Sequence, residues 1–223
     1  MSGLWISEIR AYPNHGAPST ITLTQGLNVI AGPSNTGKTR VARTIDFVMG
    51  GDLVPFTDDS DYCTAEIDLV TAEGEIITLR RSIGGDYVVS PQPGADSKVY
   101  SVKRDEKDPK TDLNSFLVSL LDFKPSRKVI KNSSWESQAL TWRSLYHLLY
   151  VPESYIDRLD STILRRGGAN DYVTRTAELS TLLVLAQDEN FDDIEPQESD
   201  KDRRIRQRSV KQFITRQVEA ARE

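Results

Sequence analysis

The chain has 223 residues, of which 38% are hydrophobic and 27% are charged, and its net charge of -5 argues against a uniformly basic nucleic-acid binder. Its longest uninterrupted apolar stretch, Leu182–Ala186, is far shorter than the ~20 residues of a membrane helix. The lone Cys63 excludes an internal disulfide, and one cysteine with two histidines makes a Cys/His zinc site unexpected.

The first strands are predicted to form a hairpin. Leu4–Tyr12 and Ile21–Leu23 have strand-like content and are separated by a cluster of Pro, Asn and Gly residues typical of a turn. Leu27–Ala31 is a short, mostly apolar run of the kind that a buried strand shows. From Lys38 onward, apolar residues recur every three or four positions, which predicts a helix that ends at Gly50.

A meander of antiparallel strands is predicted next. Cys63–Leu69 alternates between apolar and polar residues and is followed by a turn that contains glycine. Ile76–Ile83 and Tyr87–Val89 are predicted strands joined by a pair of glycines. Arg80 and Arg81 fall on the first of these strands, so their side chains are expected to face opposite sides of the sheet.

Three helices are predicted in the middle of the chain. The first begins after a cap at Thr111 or Asp112 and runs to Leu121. The second is predicted over Ser137–Leu149 and the third over Thr174–Gln187. The residues of the third helix that are expected to face a core are Ala177, Leu179, Leu182, Leu183 and Ala186.

Charge is distributed unevenly near the end of the chain. Residues 188–200 contain seven acidic side chains and no basic one, as is typical of a solvated loop. Residues 201–223 contain eight Lys or Arg against three acids and predict a basic helix, a candidate start of a coiled coil. Its helically spaced apolar residues are Val210, Ile214, Val218 and Ala221. The expected divisions are a main lobe over 1–187, an acidic loop over 188–201 and a basic helix over 202–223.

The strongest motif is a candidate phosphate-binding loop. Residues 32–39 fit the pattern G-x-x-x-x-G-K-[ST] and lie between a predicted strand and a predicted helix. Its glycines let backbone N–H groups point at an anion, toward which the positive end of the following helix is also directed. Lys38 is expected to reach the β- and γ-phosphates of a nucleotide, and the Thr39 hydroxyl to bind Mg²⁺. The predicted nucleotide contacts are Gly32, Pro33, Ser34, Asn35, Thr36, Gly37, Lys38, Thr39 and Arg40.

The sequence around this loop resembles the amino-terminal head lobe of ABC-type ATPases of the structural-maintenance-of-chromosomes (SMC) and RecF/RecN class. The resemblance rests on Leu4–Arg10, Ile21–Leu23 and Gly26–Pro33, and on the helix, glycine pair and meander that follow. It implies an α/β fold, a P-loop NTPase with a central β-sheet, an antiparallel β-meander subdomain and flanking helices. It also implies ATP and Mg²⁺ as cofactors. In this class two heads sandwich two ATP molecules, and hydrolysis serves DNA repair, chromosome organisation or defence against foreign DNA.

The resemblance assigns roles outside the loop as well. Arg10 lies in the segment that passes near the nucleotide in relatives, so it is an expected ATP contact. The family has a glutamine that touches Mg²⁺ and the attacking water, and Glu153 occupies the similar place here, with Gln138 as a competing candidate. Ser34 and Asn35 stand where many members have Asn and Gly, so the loop backbone is expected to differ locally.

ATP hydrolysis in this class also requires a Walker B strand and a signature loop from a carboxy-terminal lobe. Leu182–Glu189 imitates the first and Arg166–Gly168 the second, but neither fits the pattern. The catalytic candidates Lys38 and Glu153 are therefore expected to need a carboxy-terminal lobe and a second head as partners, with DNA bound by the whole protein. Alone, the chain is expected to bind nucleotide weakly and to hydrolyse it poorly.

Two other functions are compatible with the motif, which reads phosphates only and does not separate ATP from GTP. A self-contained phosphotransferase would use the acids of Asp58–Asp61, or Asp188 with Glu189, for the metal and the acceptor. A nucleotide-gated interaction module without turnover would use the basic tail to recruit a partner chain. The N-terminus carries no secretory signal, so a cytoplasmic protein without membrane contact is expected.

Overall fold

The computed structural model divides the chain into two compact units. The first comprises the described parts of residues 1–125 and 141–143, and the second those of 126–140, 144–151 and 171–220. Both units combine helices with strands, which confirms a mixed α/β chain. The residues that the structure describes are 3–57, 60–92, 95–103, 111–124, 126–132, 134–151, 171–187, 191–195 and 200–220.

A six-stranded sheet forms the framework of the first unit. Its spatial order is β2-β1-β3-β4-β5-β6, and each neighbouring pair is antiparallel. The predicted hairpin and meander are confirmed, and the last strand is one that the sequence pattern did not predict. The strands are β1 Trp5–Pro13, β2 Ser19–Thr22, β3 Tyr62–Val70, β4 Ile76–Ser82, β5 Tyr87–Gln92 and β6 Ala95–Ser101.

The predicted helix after the loop is confirmed as α1, Lys38–Val48, which packs against β1, β3 and β4. Its C-terminal end is tied to the sheet by Arg81. The Nη1 atom of Arg81 donates to the carbonyl oxygens of Phe47 and Gly51, both at 2.7 Å, and the guanidinium lies 4.1 Å from the centre of the Phe47 ring. Burial lowers the pKa of Arg81. Strand β4 therefore fixes one end of α1.

The second helix of this unit is α2, Leu113–Ser119. Of the two predicted N-cap candidates, Thr111 and Asp112, the residue that caps this helix is Asp112. One carboxylate oxygen of Asp112 accepts from the backbone N–H of Asn114 and the other from the hydroxyl of Ser115, both at 3.0 Å. Such a cap satisfies N–H groups that the first helical turn leaves without a partner. The buried apolar side chains of α2 are Leu113, Leu117 and Val118.

An ion-pair network covers the face of the sheet opposite α1. Arg81 lies opposite Ala65 on β3, and its side chain contacts α1. Side chains alternate along a strand, so Arg80 and Glu66, which lie opposite each other in β4 and β3, point to the other face of the sheet, as predicted. Glu66 is only 2% exposed. It accepts from Nε of Arg10 at 2.6 Å and from Nε of Arg80 at 2.5 Å, so one carboxylate joins three strands.

Further members complete this network around Arg10 and Glu66. Arg10 also pairs with Glu8 at 2.6 Å and with Asp68, and the Tyr12 hydroxyl donates to Glu66 at 2.8 Å. Burial acts to raise the pKa of Glu66, but hydrogen bonds from Arg80, Tyr12 and Arg10 outweigh it and hold that pKa below its ordinary value. The polar face of β3 is consequently buried as well as its apolar face.

The second unit is built on a short antiparallel ribbon of two strands. Strand β7 packs against α4, where its Ile130 N–H donates to the hydroxyl of Ser180 at 2.7 Å. The backbone N–H of Lys128 donates to Asp192 at 2.9 Å. The elements are β7 Lys128–Ile130, β8 Ser137–Ala139, α3 Trp142–Leu149, α4 Asp171–Gln187 and α5 Asp200–Ala220, with Trp142 and Arg143 grouped in the first unit.

Two helical predictions are wrong in part. The helix predicted over Ser137–Leu149 begins only at Trp142, because the preceding residues pair with β7 as strand β8. In α4, Leu179 and Leu183 are 43% and 41% exposed and Ala186 is exposed, although all three were expected to face a core. The buried side of α4 instead includes Ser180, Thr181 and Val184. The Ser180 hydroxyl accepts a hydrogen bond from the backbone N–H of Ile130 in β7.

Every described pair of neighbouring strands in the six-stranded sheet is antiparallel, and the run Leu27–Ala31, which was predicted as a buried strand, is not part of the sheet. What the structure shows is a mixed α/β chain with a six-stranded antiparallel sheet. Among the described residues, no helix combines the length and the apolar character needed to span a membrane.

Glu66→Gln is expected to lower the free energy of unfolding at neutral pH by about 3 kcal/mol, because a neutral amide leaves a buried ion pair incomplete. Since the pKa of Glu66 is lowered, its carboxylate stabilises the wild type above the ordinary value of 4.5, and this stability is lost as the pH falls through the lowered pKa. Urea unfolding from neutral to acidic pH should therefore show a weaker acid dependence in the variant. Glu8→Gln is the control: its side chain, which pairs with Arg10, is 30% exposed, and the substitution should cost less than about 1 kcal/mol. Equal costs would contradict the central role of Glu66.

Candidate nucleotide-binding site

The segment between β2 and α1, residues 23–37, is without helix or strand, and the side chain of Asn28 organises its first part. The Oδ1 atom of Asn28 accepts from the Thr24 N–H at 2.9 Å, and Nδ2 donates to the carbonyl oxygens of Thr24 at 2.7 Å and Gly26 at 3.1 Å. These bonds close a local turn ahead of the motif.

The predicted buried strand Leu27–Ala31 is wrong. Leu27 is 91% exposed and Val29 is 78% exposed, and no strand in the described part of the chain pairs with this run. A strand requires a neighbour to satisfy its backbone N–H and C=O groups, so an apolar sequence alone does not make one. Leu27, Val29 and Ile30 therefore form an exposed apolar segment directly before the motif.

The motif itself folds as a loop closed by its own lysine. The Nζ atom of Lys38 donates to the carbonyl oxygens of Gly32 at 2.9 Å and Pro33 at 2.5 Å. Gly37 precedes α1 with a φ of 88°, in the left-handed region that favours glycine. Asn35 has a φ of 63°, and asparagine is among the few other residues that tolerate this region. The backbone at Asn35 is therefore in a conformation that glycine also adopts readily.

The first turn of α1 carries positive charge where a helix ordinarily prefers negative charge. It contains no acidic residue, and Gly37 offers no side chain to cap it. The N-terminal end of a helix is the positive end of its dipole, so Lys38 and Arg40 are electrostatically unfavourable there, and Arg43 lies one turn later. A bound anion would offset these positive charges.

A cleft of about 830 Å³ opens at this end of α1. That volume falls within the range of about 300–1,000 Å³ that small-molecule sites occupy. Arg43 was not predicted as a site residue, although its spacing of three from Arg40 places both on one side of the helix that starts at the motif. The described residues that line the cleft are Ser34, Asn35, Thr36, Gly37, Lys38, Thr39, Arg40 and Arg43.

Arg10, which was also predicted for the site, is not brought to this cleft. Arg10 lies on the face of the sheet opposite α1, where three carboxylates bind it, and it is not among the described residues of the lining. Its contact with nucleotide stays a prediction. Gln138 is the middle residue of β8 in the second unit, and Glu153 lies outside the described residues.

The acidic residues proposed for a phosphotransferase are mostly outside the described ranges, since Asp58, Asp59, Asp188 and Glu189 all are. Asp61 accepts from the side-chain amide of Asn14 at 3.1 Å. Within the described ranges, no group of three or more His, Cys, Asp or Glu side chains is arranged to hold a metal ion. Thr39, which lines the cleft, is the described residue whose hydroxyl fits Mg²⁺ beside a nucleotide.

No family model matches this sequence, and no curated protein matches it. The function of the chain is therefore inferred from the loop, the helix end and the cleft.

Gly37→Ala is expected to lower the affinity for inorganic pyrophosphate about tenfold, because restoring the left-handed conformation costs alanine about 1–2 kcal/mol. Gly16→Ala is the matched control: Gly16 has a φ of 105°, and at both positions an added Cβ meets no atom within 4 Å. Both variants should lose similar stability in thermal unfolding, whereas calorimetry should detect weaker pyrophosphate binding only in Gly37→Ala. Equal affinities in the two variants would argue against the loop as an anion site.

Proposed function

We propose that this chain is the ATP-binding amino-terminal lobe of an ABC-type ATPase head of the SMC/RecN-like class, with the P-loop NTPase fold of that class. The observation that carries the proposal is the loop over residues 32–37, which brings Lys38 and the uncapped, positively charged start of α1 to one cleft. A helix end built in this way is suited to an anion and is unfavourable without one.

ATP binding would require one local exchange at Lys38. Its Nζ atom now donates to the carbonyl oxygens of Gly32 and Pro33. Replacing neutral carbonyl partners by anionic β- and γ-phosphate oxygens gives stronger, charge-assisted hydrogen bonds. The Thr39 hydroxyl would hold Mg²⁺, and Arg40 and Arg43 would add positive charge along the same cleft.

Completion of the head by a carboxy-terminal lobe is part of the proposal. The exposed apolar segment Leu27, Val29 and Ile30 supports it, because several exposed apolar side chains close together in the chain, beside the loop, are suited to a surface that another element covers. That lobe would supply the Walker B acids and the signature loop, and Glu153 stays the proposed Mg²⁺ ligand. A second head would close the ATP site, and the whole protein would act on DNA.

Lys38→Ala is expected to abolish Mg-ATP binding measured by calorimetry, because the substitution removes the phosphate-binding cation. Lys98→Ala, an exposed lysine on β6, changes the net charge equally and should leave the affinity unchanged. The purified chain should hydrolyse ATP only slowly. Fast turnover by this chain, a preference for Mg-GTP or equal affinities in the two variants would contradict the proposal.

The combined substitutions Leu27→Asp and Val29→Asp should leave the free energy of unfolding within about 0.5 kcal/mol of the wild type, because exposed side chains contribute little. Binding of a hydrophobic dye such as anilinonaphthalene sulfonate should fall, while Mg-ATP binding is retained. Val88→Asp, at a fully buried position of β5, is the contrasting variant and should unfold the chain. A large loss of stability in the double variant would show that the segment is packed, and that no surface is free for a second lobe.

A further inference from the structure

The cleft at the start of α1 is lined by three cations, and none of the described residues that line it is a carboxylate. Two of the cations, Arg40 and Arg43, are exposed and lie three residues apart, so two like charges are neighbours on the helix. In the described part of the chain, Arg43 makes no ion pair with a carboxylate. The positive charge of Arg43 at the cleft is therefore not compensated.

A carboxylate that could compensate this charge lies on the same helix. Asp46 is the acidic residue of α1 and follows Arg43 by three positions, the spacing at which an aspartate and an arginine on one helix are neighbours and can pair. Such a pair would hold the Arg43 guanidinium along the helix and cancel its charge. The structure shows a different partner for Asp46.

Asp46 is bound by Arg143, which lies in the first turn of α3. The Nη1 atom of Arg143 donates to Oδ1 of Asp46 at 2.7 Å, and the Asp46 side chain is only 14% exposed. The carboxylate therefore already has a cationic partner. As a result, the nearest acid on α1 is not available to Arg43.

The glycine at position 51 leaves the space that this ion pair occupies. A Cβ atom on Gly51 would lie 2.6 Å from Oδ2 of Asp46 and 2.8 Å from Nη2 of Arg143, and both distances are far shorter than a van der Waals contact. The Arg143 side chain is 42% exposed, and an ion pair so open to solvent adds little to stability. A role for the pair is therefore sought in its effect on neighbouring charges.

We propose that Arg143 is a positioning residue of the anion site: by holding Asp46, it keeps the Arg43 guanidinium free to bind phosphate oxygens in the cleft. Arg43 itself would contact the ligand through charge-assisted hydrogen bonds, which are stronger than neutral ones. That this ligand is the phosphate chain of ATP rests on the proposed function. The arrangement of Arg43, Asp46 and Arg143 rests on the geometry of α1 and α3 alone.

The test removes Arg143 and then the carboxylate that it holds. Arg43→Gln should weaken the binding of inorganic pyrophosphate, measured by calorimetry on the full chain, about tenfold. Arg143→Gln should weaken it about threefold, because the released Asp46 then pairs with Arg43. Adding Asp46→Asn to Arg143→Gln should restore the wild-type affinity, since no carboxylate is left to pair with Arg43.

Two controls separate this role from net charge and from stability. Asp86, whose side chain is 61% exposed, pairs with Lys103. Arg143→Gln with Asp86→Asn has the same net charge as the rescued variant but should stay about threefold weaker than the wild type. Arg143→Gln lacks the ion pair with or without Asp46→Asn, so both variants should unfold at similar temperatures although their affinities differ.

Four outcomes would overturn the inference. These are an unchanged affinity in Arg143→Gln, no recovery on adding Asp46→Asn, equal recovery on adding Asp86→Asn, and a further loss when Arg143→Gln is added to Arg43→Gln. Parallel titrations with Mg-ATP separate the two proposals. Mg-ATP binding without the rescue pattern rejects this inference alone, the rescue pattern with pyrophosphate but no Mg-ATP binding rejects the proposed function alone, and a wild type that binds neither ligand rejects both.

Discussion

The contact of Arg81 with the end of α1 is the constraint on which the candidate site depends. The guanidinium, 7% exposed, places a positive charge at the negative end of the helix dipole, where it binds the carbonyl group of Phe47 in the last turn and that of Gly51 just beyond the helix. Because the C-terminal end of α1 is anchored to β4, the opposite end can carry Lys38 and Arg40 at an electrostatic cost. Stability supplied at one end of the helix thus permits an electrostatically unfavourable arrangement at the other.

Local patterns predicted those parts of the fold that local interactions determine. The hairpin, α1 and the meander follow from turn residues and from periodicity, and the loop over residues 32–37 from spacing alone. The cation at Arg43 could have been found by extending the helical spacing beyond the motif. For the candidate site, the sequence therefore predicted the loop and the start of α1 that line the cleft, whereas the binding of phosphate and the residues proposed for Mg²⁺ and the attacking water stay predictions.

The parts that sequence analysis missed depend on partners distant in the chain. Leu27–Ala31 has the composition of a strand, but no described strand lies beside it to pair with it. Ser137–Ala139 is a strand because β7 pairs with it, and α4 turns Ser180 inward because the edge of β7 needs an acceptor there. Glu66 alternates with apolar neighbours as an exposed residue would, and only the arginines of β1 and β4 make its burial favourable.

The edges of the six-stranded sheet have a consequence for assembly. Among the described residues, the sheet ends at β2, which is only 4 residues long, and at β6, which carries the exposed charges of Asp96 and Lys98. A short edge strand and a charged one both oppose the addition of a strand from another molecule. Growth of this sheet into cross-molecular aggregates is therefore disfavoured, even though a six-stranded sheet is the framework of the first unit.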